Sequence, residues 1–145
     1  MTPSRVQLAL NVSDLDEAVD FYTRLFATEP RKREPGYANF AIADPPLKLV
    51  LFQSKHGGTI NHLGVEVANT DDVDATQRRL NGEGVATDEE RATTCCYAVQ
   101  DKVWATAPDD LKWEVYTVLE DVKDAGETCA DDSCGDPAAA SDCCA

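Results

Sequence analysis

The chain has 145 residues, 43% hydrophobic and 28% charged, which is typical of one soluble globular domain and not of a disordered or fibrous chain. It contains no run of 18 apolar residues, so we expect no membrane span, and no signal peptide is recognisable, so we expect a cytoplasmic protein. Its formal net charge of −14 leaves no basic face for nucleic acid, which excludes that class of partner.

The first half of the chain predicts one strand, one helix and three further strands. Apolar residues alternate with small or polar ones over 6–12, the pattern of a half-buried strand. Ser13 is the expected N-cap of a helix whose apolar face begins at Leu15, and Pro30 ends it. Turn residues then separate three short strands, predicted over 31–34, 37–42 and 47–53.

The second half repeats this order. Residues 60–67 alternate in the same way, and Asn69 opens a second helix that runs to Gly82. Strands are predicted around 86–94, 97–105 and 112–118. Each half therefore has the order β-α-β-β-β, and such a unit cannot bury its sheet alone. We expect an α+β fold in which the two modules, 4–54 and 59–120, pair to form one cupped mixed sheet in a domain covering 1–120.

Residues 121–145 differ in composition from the rest. They contain six Asp and one Glu against one Lys, almost no large apolar side chains, and no periodicity. We predict a flexible acidic tail. It carries four of the six cysteines, namely Cys129, Cys134, Cys143 and Cys144.

Strand alternation brings three polar side chains to one face of the predicted sheet. If the apolar residues of each strand face the helices, then Gln7, His62 and Glu114 point to the opposite, concave side. Glu114 interrupts an apolar run, where a carboxylate is costly unless it is paired or bound to a metal. An amide, an imidazole and a carboxylate suit a divalent metal such as Fe(II).

The internal repeat refines this prediction. Gln7 and His62 occupy the same position in the two halves, whereas Glu114 aligns with Val50, which cannot coordinate a metal. Three ligands leave positions open for substrate or dioxygen, as in the facial triads of non-haem iron oxygenases. Each residue also has a purely structural interpretation: a surface amide, a core histidine and a salt-bridged carboxylate. His56, the other histidine, is expected in a solvated loop.

Cys95 and Cys96 are adjacent and fall where the second half turns between strands. Neighbouring cysteines seldom form a disulfide with each other, and two free thiols form a clamp for a thiophilic trivalent ion. Lys102 is a candidate for lowering their pKa. The alternative is that they are two small buried residues near a strand end.

The duplicated β-α-β-β-β pattern resembles the vicinal oxygen chelate superfamily, which includes glyoxalases, extradiol dioxygenases and bleomycin-resistance proteins. The resemblance covers residues 4–120. It rests on Gln7, Asp14, Leu15, Phe21, Tyr22, His62 and the segment 112–116. The fold alone does not define a function, because this superfamily hosts several chemistries.

A narrower resemblance is to the heavy-metal resistance (ArsI/CadI-type) branch of that superfamily. It rests on the segments 93–97, 103–104 and 113–116 and on the cysteine-bearing tail. The resemblance implies an Fe(II)-dependent C–As lyase that uses dioxygen to release arsenite from methylarsonous acid or a similar organoarsenical. It implies that Gln7, His62 and Glu114 are catalytic metal ligands and that Cys95 and Cys96 bind the arsenic of the substrate.

Three alternatives remain open from the sequence. A glyoxalase-like isomerase with Ni(II) or Zn(II) is disfavoured by Val50. A thiol protein that binds arsenic or cadmium without turnover is compatible with the cysteines. A drug-binding protein would use neither the metal residues nor Cys95 and Cys96. We expect a monomer or a homodimer that acts on a small molecule.

Overall fold

The computed structural model describes residues 4–95 and 97–121. This part contains eight β-strands, two α-helices and a short 3-10 turn at Pro108–Asp110. The predicted tail lies, apart from Asp121, outside the described residues, so the domain limits stay a prediction. The elements are β1 (Arg5–Val12), α1 (Leu15–Phe26), β2 (Lys32–Glu34), β3 (Tyr37–Ile42), β4 (Leu47–Gln53), β5 (Thr59–Glu66), α2 (Thr70–Gly82), β6 (Asp88–Cys95), β7 (Ala98–Thr106) and β8 (Lys112–Asp121).

All eight strands form one mixed sheet in the order β2-β3-β4-β1-β5-β8-β7-β6. In the first half β1 pairs in parallel with β4, and in the second half β5 pairs in parallel with β8. The antiparallel pair β1 and β5 joins the halves at the centre. The prediction of an α+β fold with two β-α-β-β-β modules is therefore confirmed.

The helices cover one face of the sheet. Leu15 and Val19 of α1 are buried against Phe40, Leu49 and Leu51 of the first module. Burying these apolar side chains away from water supplies the main stabilisation of the module, roughly 2 kcal/mol for each large side chain. The second helix, α2, packs against β7 and β8. Neither helix of the described part has the length and apolar character needed to cross a membrane.

The start and end of α1 differ from the prediction. Asp14, not Ser13, is the N-cap, because its carboxylate accepts a hydrogen bond from the Glu17 amide. Ser13 instead lies against the backbone of Gly57, where a Cβ would approach the Ser13 nitrogen to 2.6 Å. The helix ends at Phe26, before Pro30, because Ala27 takes a left-handed conformation with φ 49°.

Two strands of the second module also differ at their ends. The strand β6 covers Asp88–Cys95 and not 86–94. The strand β8 continues three residues past the predicted 118, because its ladder with β7 extends as far as the pair Ala98 and Asp121. Backbone pairing thus continues along the chain beyond the apolar pattern from which the strand was predicted.

The sheet curves until its distant strands meet. Lys32 on the edge strand β2 donates to the carbonyl of Tyr97 at 2.9 Å and pairs with Asp121 on β8 at 3.3 Å. The ring of Tyr37 on β3 lies 5.3 Å from that of Tyr97, centroid to centroid. These strands are well separated in the sheet order, so the contacts close the sheet into a cup. Its concave face is polar and yet deeply buried, as Asn11 at 1% exposure illustrates.

Candidate metal centre

Three adjacent strands bring Gln7, His62 and Glu114 together on the inner face of the cup. The Nε2 atom of Gln7 lies 2.8 Å from Oε1 of Glu114 and 3.1 Å from Nε2 of His62, and the last two atoms are 3.3 Å apart. Each residue is at most 4% exposed. Strand alternation therefore predicted the right face for all three; their roles in catalysis and metal binding stay predictions.

Gly64 makes room for this cluster. It is the direct neighbour of Gln7 across the β1–β5 ladder and of Glu114 across the β5–β8 ladder. A Cβ at this position would lie 2.9 Å from Cγ of Glu114 and 3.1 Å from its carbonyl oxygen. The glycine thus lets the Glu114 side chain lie flat against β5. An isolated glycine within a strand is the sequence signal that could have marked this close approach.

The three converging atoms match the needs of a divalent metal. Ligands held about 2.1 Å from one ion at right angles to each other lie roughly 3 Å apart, close to the separations seen here. Rotating the Gln7 amide by half a turn presents its oxygen instead of its nitrogen, and the two are exchangeable in shape. The residues therefore fit a metal. Within the described residues no group of three or more His, Cys, Asp and Glu side chains could hold a metal ion by itself.

Lys102 fixes the charge state of Glu114. Lys102 is 2% exposed, and its ammonium group donates a hydrogen bond to Oε2 of Glu114 at 2.8 Å. Burial opposes ionisation of the carboxyl group, but the attraction of Lys102, and of His62 when its ring is protonated, outweighs it and lowers the pKa of Glu114 to about 2. Glu114 is therefore a carboxylate at neutral pH. The sequence suggested Lys102 as the residue that lowers the pKa of the Cys95 and Cys96 thiols. In the structure it pairs with Glu114.

Tyr116 contacts Gln7 from the other side. Its hydroxyl donates to the Gln7 carbonyl oxygen, and its fully buried ring has the ammonium of Lys48 5.1 Å from the centroid. Burial raises the pKa of Tyr116 and lowers the pKa of Lys48, and it is the largest cause of both shifts. Glu66, which also faces this side, instead forms an ion pair with Arg5 at 2.7 Å.

The His62 ring is held on both sides. Its Nδ1 lies 2.7 Å from the side-chain oxygen of Asn61, and the ring makes a T-shaped contact with that of Trp104 at 5.3 Å between centroids. His56, in contrast, is exposed in the loop between β4 and β5, as predicted. Asn61 was not among the predicted site residues, because strict alternation puts it on the opposite face from His62.

The turn that carries the two cysteines lies at the rim of the cup. Cys95 is the last residue of β6 and pairs with Ala98 of β7, so the chain reverses direction here, as predicted. Cys96 and the side chain of Cys95 lie outside the described part. The backbone of Tyr97 turns with φ 69°. From Ala98 to Lys102, beside Glu114, β7 spans about 13 Å. The turn is therefore separate from the cluster.

Aromatic side chains connect this rim to the cluster. The ring of Tyr37, which contacts Tyr97, is 5.6 Å from that of Phe52, and Phe52 is 6.5 Å from the ring of His62, all between centroids. A continuous row of rings thus runs from the cysteine-bearing turn to the predicted metal ligands.

Two paired β-α-β-β-β modules with a buried polar cluster at their seam are the architecture of a known superfamily. The model of the Glyoxalase/Bleomycin resistance protein/Dioxygenase superfamily matches residues 5–115. The chain therefore belongs to this superfamily.

Individual relatives narrow the comparison. The chain is 63% identical over 119 residues to the cadmium-induced protein CadI of Mycobacterium tuberculosis, covering 81% of this chain and 78% of that one. It is 54% identical over 132 residues to the trivalent organoarsenical cleaving enzyme of Thermomonospora curvata, covering 90% and 86%. The Mn(II)-bound glyoxalase of Novosphingobium aromaticivorans, at 22% identity, shares the fold with a TM-score of 0.60 over 84% of this chain and 42% of that one.

Proposed function

We propose that this protein is an Fe(II)-dependent dioxygenase that cleaves the carbon–arsenic bond of trivalent organoarsenicals such as methylarsonous acid and releases inorganic arsenite. The observation that carries the proposal is the convergence of Gln7, His62 and Glu114 within 3.3 Å of one another in a buried cup. The 54% identity to a protein named for organoarsenical cleavage supports the choice of substrate.

We assign the three convergent side chains as metal ligands. Fe(II), when bound, supplies the redox chemistry with dioxygen, which no protein side chain can perform alone. Three protein ligands leave coordination positions for small molecules. Two contacts support this ligand set: Lys102 holds Glu114 ionised, and the Tyr116 hydroxyl, which can donate or accept, can hold the Gln7 amide after it rotates its oxygen toward a metal. Burial keeps bulk water away from the cluster.

We assign Cys95 and Cys96 as the substrate-binding residues. Their two thiols replace the two hydroxyl groups of methylarsonous acid, so that two As–S bonds form and two water molecules leave. An arsenical held by two bonds has one remaining As–C bond, whose direction is then defined. The turn stands apart from the cluster, so we expect it to carry the bound arsenical along the aromatic row toward Glu114.

The second candidate is a thiol protein that binds arsenic or cadmium without turnover. The observation in its favour is the 63% identity to a protein named for induction by cadmium. A glyoxalase-like isomerase is less favoured, because Val50, 4% exposed on the inner face, stands where a fourth ligand is needed. We further propose a cytoplasmic monomer or homodimer whose partner is a small molecule and not a nucleic acid.

One assay separates the two candidates. The protein is loaded with Fe(II) under anaerobic conditions, methylarsonous acid is added, air is admitted, and arsenite is measured, with Glu114→Ala as the control. A lyase releases arsenite only when iron, dioxygen and Glu114 are all present. A binding protein retains methylarsonous acid through its thiols, with no arsenite formed, and that outcome would rule out the lyase.

A further inference from the structure

A chain of four hydrogen bonds runs from the His62 ring to a backbone carbonyl in the loop between β4 and β5. We propose that Asn61, Asn11 and Thr59 are positioning residues that fix the proton of the neutral His62 ring on Nδ1 and leave Nε2 as a lone-pair donor facing Gln7 and Glu114. The inference deepens the proposed function, because its consequence for metal binding rests on that function.

The bonds form an unbroken series. His62 Nδ1 lies 2.7 Å from Asn61 Oδ1, and Asn61 Nδ2 donates to Asn11 Oδ1 at 3.1 Å. Asn11 Nδ2 donates to the Thr59 hydroxyl at 2.9 Å, and that hydroxyl donates to the His56 carbonyl at 2.6 Å. Each intermediate side chain donates one bond and accepts one.

The last acceptor determines the direction of every bond. The His56 carbonyl can only accept, so the Thr59 hydroxyl must donate to it and accept from Asn11. The amide group that Asn11 presents to Thr59 is therefore its NH₂ group, which leaves its oxygen for Asn61. Asn61 then directs its own oxygen at His62, so Nδ1 must carry the proton. The His56 carbonyl thus fixes the orientation of both asparagine amides.

On the opposite side of the ring the Gln7 amide favours this tautomer, while Oε1 of Glu114 lies 3.3 Å from Nε2. Because Tyr116 donates to the Gln7 oxygen, the Gln7 NH₂ group faces the cluster, where it lies 3.1 Å from Nε2 of His62 and 2.8 Å from Glu114. An NH₂ group with two hydrogens can donate to both. An unprotonated Nε2 is also the form in which a histidine ligates a metal.

A β-bulge makes this arrangement possible. In the β1–β5 ladder His62 pairs with Ala9 and Ile60 pairs with Leu10, so Asn61 is an extra residue with no direct partner. The bulge turns the Asn61 side chain to the same side as His62, whereas regular alternation would point it away. Bulges commonly re-aim a side chain in this manner beside functional sites.

The far end of the chain is anchored by close backbone packing. The amide of Gly58 donates to the carbonyl of Asn11 at 2.8 Å, and Gly57 lies so close to Ser13 that a Cβ would come within 2.0 Å of its hydroxyl. These contacts hold the loop that bears the His56 carbonyl against the end of β1. The acceptor that sets the direction is therefore fixed in place.

The sequence contains only two histidines, so ring tautomers can be read directly by NMR. The full chain is labelled with ¹⁵N at histidine, freed of metal with a chelator, and studied by long-range ¹H–¹⁵N correlation, with exposed His56 as the internal reference. At a pH where the ring is neutral, we expect the proton of His62 on Nδ1. A wild-type spectrum with the proton on Nε2, or averaged between both nitrogens, would overturn the inference.

Matched variants test the chain at its far end. Thr59 is exposed, so Thr59→Val removes only the hydroxyl link, whereas Thr59→Ser retains it. We expect Thr59→Val to give a mixture of His62 tautomers and Thr59→Ser to match the wild type. A folded Thr59→Val protein with the wild-type tautomer would contradict the proposal. Asn61→Asp, which still accepts from Nδ1, should keep the tautomer, whereas Asn61→Leu should lose it.

The affinity for Mn(II), measured by competition with a chelator, distinguishes this inference from the proposed function. We expect Thr59→Val to weaken binding up to about 10-fold and Thr59→Ser to leave it unchanged. A wild-type protein with the predicted tautomer that binds no divalent metal would reject the proposed metal centre and still support the hydrogen-bond chain. A normal affinity combined with the opposite tautomer would reject the chain alone.

Discussion

At the scale of single residues, the polar cluster depends on one buried ion pair. Glu114 is 3% exposed, and an unpaired carboxylate at that depth would cost several kcal/mol. The Lys102 ammonium offsets this cost and holds the carboxylate ionised without a metal. A buried pair of this kind loses stability sharply when one partner is removed, which makes it easy to test.

Replacing Glu114 by Gln should produce a pH-dependent loss of stability. A pKa lowered from 4.5 to about 2 means that the carboxylate stabilises the folded state above about pH 4.5 and that this contribution disappears as the pH falls to about 2. In chelator-treated protein we expect Glu114→Gln to be less stable by about 3 kcal/mol at pH 7, and this difference to vanish near pH 2. Urea unfolding at several pH values measures it.

The control for this experiment is Glu120→Gln, on the same strand but exposed. It removes the same formal charge and should shift the unfolding free energy by less than about 0.5 kcal/mol at pH 7. A difference between Glu114→Gln and wild type that stays constant from pH 7 to pH 2 would show that the ion pair does not hold the carboxylate ionised.

Gln7 offers a second test of the electrostatics. A Gln7→Glu variant would put two carboxylates within about 3 Å of each other, a repulsion that a divalent cation relieves. We expect the metal-free variant to be less stable than wild type by roughly 2 kcal/mol at pH 8 and to gain a larger increase in Tm from Mn(II). Thermal unfolding with and without the metal measures both effects. A variant that gains less from Mn(II) than wild type would contradict the ligand assignment.

At the scale of elements, the alternation of apolar and polar residues predicted the strands and the faces on which the site residues lie. It failed where the backbone departs from regular alternation. The bulge at Asn61 turns one side chain against the regular alternation, and Ser13, the expected N-cap, lies instead against Gly57 in the loop between β4 and β5. Neither feature is visible in the local pattern, because each is set by a partner strand or loop.

Gly64 shows how one strand controls the geometry of its neighbour. A methyl group here would push on Glu114 at 2.9 Å, so we expect Gly64→Ala to cost about 1–3 kcal/mol in stability and to weaken Mn(II) binding at least 10-fold. Gly82→Ala is the control, because nothing lies within 4 Å of a Cβ at that helix end. Equal metal affinity in wild type and Gly64→Ala would mean that Glu114 does not need its observed position.

At the scale of the whole molecule, the cup is closed by contacts between residues far apart in sequence. Lys32 and Asp121 are separated by 89 positions, and their ion pair adjoins the contact between Lys32 and the Tyr97 carbonyl. The sequence predicted a curved sheet from the repeat but could not identify these closing contacts, because exposed charges carry no local signal of their partners.

Removing Lys32 should loosen the rim of the cup while leaving the fold intact. Partly exposed ion pairs contribute little, so we expect Lys32→Met to change the unfolding free energy by less than about 1 kcal/mol. Amide hydrogen exchange near Tyr97, however, should become faster, since the turn loses its contact with β2. Lys55→Met, in an exposed loop, should leave that exchange unchanged. Unaltered exchange in Lys32→Met would mean that other contacts hold the turn.

A Mn(II) titration shows whether Gln7, His62 and Glu114 hold a divalent metal. Mn(II) prefers oxygen and nitrogen to thiolate, so the cysteines interfere little, and free Mn(II) is measured by its EPR signal. We predict one tightly bound ion per chain in wild type and in Glu120→Ala, and none in Glu114→Ala. Equal binding in Glu114→Ala and wild type, or no binding in either, would mean that these three residues do not form a metal site.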